Sequence, residues 1–572
     1  MRKPKKKTVV ISSVIAVVLI AAIAGLMLLN SRYNLLSFIL VAQENLPLEH
    51  YAGALEGADS DTPYATENTK PENMGFVTKL ELNGNAVDSF SRTEKIDFSG
   101  DYTALEGLIT FRGSNLRSAS SYGTAKIIKE QLNADFWSYK TGKLPKGYTD
   151  GYWSGNGWTG QPVLVRWDEA TRQIMNLYPE KKAKAGLIEA IYPSMDGHIY
   201  FLDIEDGTPT RDAINVGLSF KGSCSLHPDG VPLLVLGAGD SQTNSDGSVT
   251  GAGAYIYSLI DGTKLYEFGI NDPFSPRIFH AYDSSALFDV KNDLLIYPGE
   301  NGILYQMKLN TQYDPEAGTL SIAPSELLKW TYSTKRTSEK DFWWGMESSA
   351  VIWEGYLFIT DNAGDVFCLD LNTMQVVWVQ DTMDDTNASP VFEIDENGNK
   401  FLYVAPSLHW QTNLTTKMGK VSIFKLNAMT GEIIWKQPYE CHTVQSISGG
   451  IQATPVVGQG EISDLVIYPI ARTPRLFAGK LVALNKTTGQ TVWTLNMDHY
   501  AWSSPIAVYA DNGKAYLIQC DSDGNMMLIE GTTGKVLHKL NFGTNIEATP
   551  GVFENKIVVG TRDERIVGVT IE

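Results

Sequence analysis

The sequence predicts an all-β fold, an eight-bladed β-propeller of four-stranded antiparallel blades, preceded by an N-terminal transmembrane helix. Three observations predict it: a hairpin pattern that recurs along the second half of the chain, a second recurring element upstream of each hairpin, and one apolar run near the N-terminus. The 572 residues are 43% hydrophobic and include 51 Gly and 13 Trp, which suits many short strands and tight turns and excludes general disorder.

The recurring hairpin consists of two alternating strands joined by a polar turn. Its clearest copies are Gly419–Trp435, Gly479–Trp493 and Gly524–His538, and Gly364–Trp378 is a fourth; weaker copies are Ile199–Arg211 and Tyr255–Phe268. A Thr-Gly or Asp-Gly pair at the turn supplies the positive φ that a tight hairpin needs. A bulky residue, most often Trp, follows the turn. We expect it to pack between neighbouring sheets.

The second element is a Ser/Thr-Pro or Ser-Ala pair that leads into an apolar strand. Counting from this landmark, blades begin near residues 161, 223, 284, 348, 388, 453, 503 and 548, a spacing typical of propeller blades. The last blade ends after three strands at Glu572. Upstream of the first blade, the segment around Trp137 matches the outermost-strand pattern around Trp330. We therefore predict that this N-terminal strand completes the eighth blade and closes a propeller over residues 131–572.

The N-terminal region is predicted to anchor the chain in a membrane. Residues 1–8 form a basic cytoplasmic tip, and Val9–Leu29 is apolar apart from two Ser and one Gly, long enough to span a bilayer. The alternative is a cleaved signal peptide. Residues 30–75 are predicted to be a solvated stalk, and residues 76–130 a small β-rich extension. This arrangement predicts a single-pass membrane protein whose propeller lies outside the cytoplasm, either extracellular or periplasmic.

Charge and cysteine content exclude other classes of protein. The net charge is −18, and six of the 47 basic residues precede the first acidic residue, so the remaining 41 face 65 acidic residues. An acidic body of this kind does not bind nucleic acid. The four cysteines are isolated, so no disulfide scaffold and no attached haem are expected.

The repeats with Thr-Gly followed four residues later by Trp, as at Gly431 and Trp435 or Gly489 and Trp493, resemble the pyrroloquinoline-quinone-type (PQQ-like) β-propeller family. That family includes calcium-dependent quinoprotein alcohol dehydrogenases and non-enzymatic scaffolds such as the propeller lipoprotein of the outer-membrane β-barrel assembly machine. The dehydrogenases typically carry a vicinal Cys-Cys pair, which this chain lacks. The resemblance therefore favours the non-enzymatic branch, and no cofactor is predicted; PQQ and calcium are the less favoured alternative.

Candidate ligand-binding residues follow from the register of the repeats. The residue three positions before the Pro or Ala of each landmark, or before Cys224 in the second blade, is expected at the mouth of the central channel, where loops lead into the innermost strands. These residues are Thr159, Lys221, Asp283, Glu347, Asn387, Gln452, Trp502 and Glu547. Two interpretations are open. These side chains are either hydrated and paired with neighbouring loops, or they form a polar funnel for a small ligand or a peptide end.

The same loops are rich in aromatic residues, namely Trp153, Trp158, Trp343, Trp344 and Tyr500. Aromatic rings beside carboxylates suit sugars, although packing between blades is the simpler interpretation. Arg277 and His280 are candidates for an anion. Asp521, Asp523 and Asn525 have the alternating oxygens of a calcium loop but lack its final Glu, so no metal site is predicted. The acidic run that contains Asp384 and Asp385 is expected to be a solvated loop.

The sequence therefore predicts a membrane-anchored, extracytoplasmic binding or scaffold module of the cell envelope, without catalysis of its own. A protein, peptide or glycan is the expected partner, besides the membrane itself. The alternatives are an atypical quinone- or calcium-dependent oxidoreductase and a carbohydrate-binding or carbohydrate-active propeller.

Overall fold

Eight antiparallel sheets follow one another in sequence order around a central channel. The computed structural model describes residues 18–26, 28–29, 39–147, 149–244, 246–337, 343–411, 417–444 and 448–572. In each blade the innermost strand pairs with the second, the second with the third and the third with the outermost. The prediction of an eight-bladed propeller is confirmed.

The first four blades contain these strands, from innermost to outermost. Blade 1 has Val163–Arg166, Ile188–Pro193, His198–Asp203 and Ile214–Asn215; blade 2 has Ser225–Leu226, Leu233–Gly237, Ala254–Ser258 and Lys264–Phe268. Blade 3 has Leu287–Asp289, Leu294–Pro298, Leu304–Lys308 and Ser325–Ser333; blade 4 has Val351–Trp353, Tyr356–Thr360, Asp365–Asp370 and Gln375–Asp381.

The other four blades follow the same plan. Blade 5 has Val391–Ile394, Lys400–Val404, Met418–Asn427 and Ile433–His442; blade 6 has Val456–Val457, Leu465–Ala471, Gly479–Asn485 and Thr491–Met497. Blade 7 has Ile506–Tyr509, Ala515–Cys520, Asn525–Glu530 and Val536–Asn541; blade 8 has Gly551–Phe553, Lys556–Thr561, Arg565–Thr570 and Trp137–Lys140.

Short elements decorate the loops. Small strand pairs are Lys143–Pro145 with Tyr152–Ser154, Gln242–Thr243 with Val249–Thr250, Gln312–Asp314 with Thr319–Ser321, and Ser407–Leu408 with Gly449–Gly450. Short helices are Pro71–Met74, Glu169–Ile174 and Pro179–Ala183, and Gly460–Ile462 is a 3-10 turn. Asp168 caps the second of these helices by accepting a hydrogen bond from the Thr171 backbone.

The ring is closed by a strand from the N-terminal side, as the sequence predicted. Trp137–Lys140 pairs with Arg565–Thr570, the last strand of the chain, and so becomes the outermost strand of blade 8. Strands from the two ends of the body thus share one sheet, which ties the start of the propeller to its end and closes the ring.

Neighbouring blades are joined by a tryptophan that packs against a glycine. The indoles of blades 4, 5, 6 and 8 each lie on the turn glycine of the following blade; the pairs are Trp378 with Gly431, Trp435 with Gly489, Trp493 with Gly534 and Trp137 with Gly207. A Cβ at any of these glycines would lie 2.3–2.8 Å from the indole. Each indole Nε1 also donates to a backbone carbonyl of that next blade at 2.9–3.0 Å.

The Ser/Thr landmarks form a second set of contacts between blades, on the inner side of the ring. The landmark hydroxyl of one blade accepts a hydrogen bond from the landmark N–H of the preceding blade at 2.8–3.0 Å. Such bonds join Gln161 to Ser223, Ser285 to Ser349, Ser349 to Ser389, Ser389 to Thr454 and Thr454 to Ser504. The Ser or Thr hydroxyl therefore serves as a hydrogen-bond acceptor between blades. Where a proline follows it, that proline leads into the innermost strand.

Residues 42–100, which we call the strap, pack along the outer edges of blades 6, 5, 4 and 3. Glu49–His50 pairs with the outermost strand of blade 5, and Val77–Leu82 pairs with that of blade 3 and with Asn85–Val87. Between them, the N–H of Val379 in blade 4 donates to the carbonyl of Thr69 at 2.8 Å. The prediction of a solvated stalk over residues 30–75 is therefore wrong from Ala42 onward, because backbone hydrogen bonds attach this polar segment to the propeller.

Residues 106–125, which we call the plug, enter the channel from one end and contact the innermost strands of all eight blades. Glu106–Leu108 pairs with blade 1, and further backbone bonds reach Leu226, Ile352, Phe392 and Val552 of blades 2, 4, 5 and 8. Two fully buried arginines complete the set. Arg117 donates to the carbonyls of Ala350 and Ser285, and Arg112 donates to those of Thr454, Pro455 and Pro505. Part of the segment predicted as a small β-rich extension, residues 76–130, thus closes one end of the channel.

The N-terminal apolar segment is described only in part. Residues 18–26 and 28–29 are helical, and no helix within the described residues is long and apolar enough to span a membrane. The basic tip and residues 9–17, 27 and 30–38 lie outside the described residues.

Replacing Arg112 with Ala is expected to destabilise the propeller. The change leaves the buried carbonyls of Thr454, Pro455 and Pro505 without this donor, at a cost of about 3 kcal/mol or more. Thermal unfolding of Arg112→Ala beside Lys129→Ala, whose side chain is 61% exposed, measures the effect. Equal melting temperatures for the two variants would show that the plug does not stabilise the ring.

Candidate functional site

The channel mouth is the end of the channel opposite the plug, where loops lead into the innermost strands. Five of the eight positions derived from the repeat register line one small cavity there: Thr159, Asp283, Glu347, Asn387 and Gln452. Its volume is about 30 Å³, room for about one water molecule, and Phe111 of the plug also lines it. The structure thus brings these five side chains together, and their ligand-binding role stays a prediction.

The side of the mouth formed by blades 2 to 5 is acidic around a single lysine. Lys221 lies near Asp240, Asp283, Glu300 and Glu347, and their charges outweigh burial and raise its pKa. Burial raises the pKa of Asp283 to about 7, with Glu300 and Asp240 adding to the effect and Lys221 opposing it. Burial and the same neighbours also raise the pKa of Glu347. Burial therefore favours the neutral form of both carboxyls.

Beside them lies a hydrogen-bonded group that sequence reasoning missed. Asn362 Nδ2 donates to Asp385 Oδ1 at 2.8 Å and approaches Glu347 Oε2 at 3.4 Å. The other Asp385 oxygen lies 2.8 Å from His409 Nδ1, and the His409 ring stacks on Trp410 with centroids 4.4 Å apart. Burial disfavours the charged imidazole, but Asp385 and Asp384 outweigh it and raise the pKa of His409.

The expectation of a solvated loop at Asp384 and Asp385 is wrong. The two residues are only 1% and 2% exposed. Asp384 accepts hydrogen bonds from the backbone of Trp410 and His409, and burial raises its pKa to about 6. A run of acidic residues predicts exposure from composition alone, and here donors from a neighbouring loop of blade 5 satisfy the carboxylates.

The opposite side of the mouth, formed by blades 6, 7, 8 and 1, is aromatic and carries two arginines. Trp502 lies 5.9 Å from Trp158 and 5.7 Å from Tyr500, measured between ring centroids. The guanidinium of Arg472 lies 4.2 Å from the Tyr500 centroid, and that of Arg562 lies 5.6 Å from the Trp158 centroid. Glu547 Oε2 is 3.5 Å from Arg562 Nε. Trp502 and Glu547 thus lie beside the small cavity, in a cluster of their own.

The remaining aromatic and anion candidates are mostly engaged within the protein. Trp344 Nε1 donates to the carbonyl of Tyr332 at 2.6 Å, and Trp343 packs against Trp410. Trp153 lies under the ammonium groups of Lys146 and Lys221. Arg277 is 4% exposed and donates to the carbonyl of Glu300, so its guanidinium serves the fold. His280 Nδ1 is buried and makes no hydrogen bond within the described residues.

The weak calcium candidate is a hairpin turn. Asp521 Oδ1 accepts hydrogen bonds from the backbone N–H groups of Asp523 and Asn525, and its Oδ2 accepts from Asn525 Nδ2. The turn's own donors thus use both carboxylate oxygens. No group of three or more His, Cys, Asp or Glu within the described ranges is arranged to hold a metal ion.

Comparison with known proteins agrees with this architecture. A family model described as outer membrane protein assembly factor BamB, of the PQQ-repeat type, matches residues 478–572, which include blade 7 and most of blade 8. The repeats, the eight sheets and this match agree. The chain is a β-propeller with PQQ-like repeats.

The PQQ-like propeller is also similar to proteins of differing roles. It is 24% identical over 211 residues to a quinoprotein ethanol dehydrogenase of Pseudomonas putida, and this match covers 36% of the chain and 31% of the dehydrogenase. The structure of quinohemoprotein alcohol dehydrogenase ADHIIG from P. putida HK5 matches with a TM-score of 0.50 at 11% identity, over 82% of this chain and 80% of that one. BamB from Moraxella catarrhalis matches with a TM-score of 0.43 at 16% identity, over 71% and 96%.

The residues of this PQQ-like propeller do not fit a quinone in the channel. Pockets for small organic ligands measure about 300–1,000 Å³, whereas the cavity at the mouth measures about 30 Å³. The cysteines Cys224, Cys368, Cys441 and Cys520 are all buried and free, and they belong to different blades. The described residues at the mouth therefore provide neither the space for the cofactor nor a vicinal disulfide beside it.

The raised pKa of Asp283 predicts that acidification stabilises the fold. The folded protein retains a proton up to a pKa of about 7, whereas the unfolded chain releases it near 3.8, so stability falls as the pH rises between these values. Asp283→Asn is expected to flatten this dependence and to raise stability at pH 8 by on the order of 2 kcal/mol.

Thermal unfolding between pH 5 and pH 8 tests this expectation. The exposed residue Asp61, whose side chain is 93% exposed, provides the matched control Asp61→Asn. If Asp283→Asn has the same pH profile as the unmodified protein, Asp283 is not a buried protonated acid.

Proposed function

We propose that this PQQ-like propeller is a membrane-anchored, extracytoplasmic binding module that recognises a partner at its channel mouth and carries out no covalent chemistry. The observation that carries the proposal is the contrast between the two ends of the channel. One end is filled by the plug, whereas polar, charged and aromatic side chains from different blades converge at the other end.

The filled channel favours recognition on a surface over an enclosed substrate. The plug and the Ser/Thr landmark bonds occupy the interior and leave about 30 Å³ behind the mouth. A partner therefore meets the rim of the mouth, which is acidic on the side of blades 2 to 5 and carries Arg472 and Arg562 on the other side. The two sides therefore offer a partner different groups, carboxyls on one side and arginines on the other, and this difference orients the partner as it binds.

The point where the strap joins the propeller supports a mouth that faces the membrane. The N–H of Ala42 donates to the carbonyl of Pro474 at 2.8 Å, and Lys480 forms an ion pair with Glu44 at 3.2 Å. Pro474 lies in a loop between the second and third strands of blade 6, on the mouth side. Twelve residues separate Leu29 from Ala42, a span of at most about 40 Å, so an anchor at Val9–Leu29 holds the mouth close to the bilayer.

Photo-crosslinking in intact cells tests the proposal. A benzophenone amino acid is introduced at Tyr152 or Met383, which are 50% and 66% exposed at the mouth. Ile394 and Val492, 47% and 51% exposed toward the other end, are the matched control positions. We expect adducts from the mouth positions in the membrane fraction and few from the controls.

Equal adduct patterns from both ends, or a propeller recovered in the cytosolic fraction, would contradict this function. An empty result at all four positions counts against it as well, since a binding module at working concentration should capture its partner.

The second candidate is an oxidoreductase with an atypical site, favoured by the partial match to the quinoprotein ethanol dehydrogenase. This candidate predicts that pyrroloquinoline quinone with calcium raises the melting temperature and supports dye-linked oxidation of an alcohol. Because the channel residues leave only about 30 Å³, we expect neither effect. Calcium without the quinone is the control, and a shift that requires both additions would favour the oxidoreductase.

A further inference from the structure

We propose that the aromatic side of the mouth is a subsite for a sugar ring that bears a carboxylate, as part of a glycan. This subsite comprises Trp158, Arg472, Tyr500, Trp502, Asn545, Glu547 and Arg562. The inference rests on the proposed binding function, because it names the class of ligand that this function would serve.

The three aromatic rings form an angled wall. Trp158 and Trp502 are inclined by 43° and Trp502 and Tyr500 by 51°, so no two of them stack face to face. Trp502 is 6% exposed and lies between the other two, whereas Trp158 and Tyr500 are half-buried. A half-buried ring has part of its surface in solvent, and the C–H face of a pyranose packs on such a surface.

Three buried polar atoms in the same cluster make no hydrogen bond within the described residues: Trp502 Nε1, Asn545 Oδ1 and Glu547 Oε2, the last of which forms the ion pair with Arg562 at 3.5 Å. Glu547 is 8% exposed, and only its Oε1 is bonded, to Asn545 Nδ2 at 2.7 Å. Buried polar atoms without a hydrogen bond are rare in native proteins, because each one lowers the stability of the fold. The set contains one donor and two acceptors, and a sugar hydroxyl both donates and accepts.

The charge of the subsite selects an acidic sugar. Arg472 donates through Nε and Nη1 to the carbonyls of Ser448 and Leu476, and Arg562 donates through Nη1 to Met195 Sδ. Arg562 keeps N–H groups outside this bond and pairs with Glu547, whereas Arg472 is 3% exposed and contributes its charge from beside the Tyr500 ring. Two guanidinium groups against one carboxylate leave a net positive charge, which favours a ligand carboxylate.

The alternative occupants fit less well. An aliphatic peptide side chain would leave the donor and both acceptors without partners. A cationic side chain would meet Arg472 and Arg562. A neutral sugar would satisfy the hydroxyl-binding atoms but would not use the excess positive charge.

Binding of acidic trisaccharides to the full chain tests the proposal. The protein is purified in a detergent without a sugar headgroup, and tryptophan fluorescence and calorimetry are recorded with trigalacturonic acid, triglucuronic acid and trimannuronic acid. The carboxyl-reduced form of each trisaccharide is the paired ligand. We expect at least one acid to bind, and to bind at least tenfold more tightly than its reduced form.

Variants locate the binding. Trp158→Ala is expected to weaken binding at least tenfold, while Trp158→Phe, which keeps a ring, restores most of it. Arg562→Gln is expected to remove the preference for the acid over its reduced form. Tyr51→Ala changes an exposed aromatic residue of the strap, outside the mouth, and should leave binding unchanged. Melting temperatures confirm that each variant is folded.

Several results would overturn the inference. These are no binding of any acid, equal binding of acids and reduced forms, binding that Trp158→Ala leaves intact, or equal displacement by an acidic peptide. If these occur while the mouth still crosslinks to a partner in cells, the ligand class is wrong and the proposed function stands. If the crosslinks are absent too, both proposals fail.

Discussion

The ring depends on one repeated contact, a tryptophan of one blade packed against the turn glycine of the next. The glycine has two separate duties. It takes the positive φ that the turn requires, and it leaves the space that the indole fills, as Gly431 does for Trp378. The turn sequence of each blade is therefore set by its neighbour as much as by its own hairpin. Trp137 makes the same contact with Gly207 across the junction, so the closed ring has the same packing there.

This arrangement explains why the mouth can carry so many charged groups. The Trp–Gly contacts on the outer side and the Ser/Thr landmark bonds on the inner side fix the blades independently of the loops at the mouth. Burial disfavours the ionised form of carboxyls such as Asp283 and Glu347. The blade framework can hold these carboxyls together because its own stability does not depend on them. The plug adds to this framework from the other end, where Arg112 donates to backbone carbonyls and Arg117 donates to backbone carbonyls and to the Thr110 hydroxyl.

Much of the fold could be predicted because the repeats are periodic. The spacing of landmarks and turns gave the number of blades, and the likeness between the segments around Trp137 and Trp330 gave the closing strand. The strap and the plug could not be found in this way. Their residues do not repeat, and backbone groups make many of their bonds, which neither composition nor periodicity reports. The polar segment around Ala42 to Thr69 was for this reason mistaken for a stalk.

The candidate site was predictable only where the repeats determine the position of a residue. Five residues of the mouth were located by register alone, because each occupies the same place in its blade. Asp385, His409 and Trp410 were missed because they belong to loops that differ from blade to blade, and their proximity depends on how those loops fold. The alternating oxygens around Asp521 pointed to calcium, but the same pattern also satisfies the N–H groups of a tight turn.

The plug and the closing strand also constrain the order in which the molecule is assembled. Arg112 and the carbonyl of Pro505 are 393 positions apart, and Trp137–Lys140 pairs with the last strand of the chain. These N-terminal elements are synthesised long before their partners exist, so the channel and the ring cannot close until the C-terminal blades are complete. Contacts over such sequence separations form slowly, since a long loop must close before they contribute. If the chain is exported from its N-terminus, the propeller matures only after its last residues have crossed the membrane, and until then the incomplete blades depend on the export and quality-control machinery for protection from aggregation.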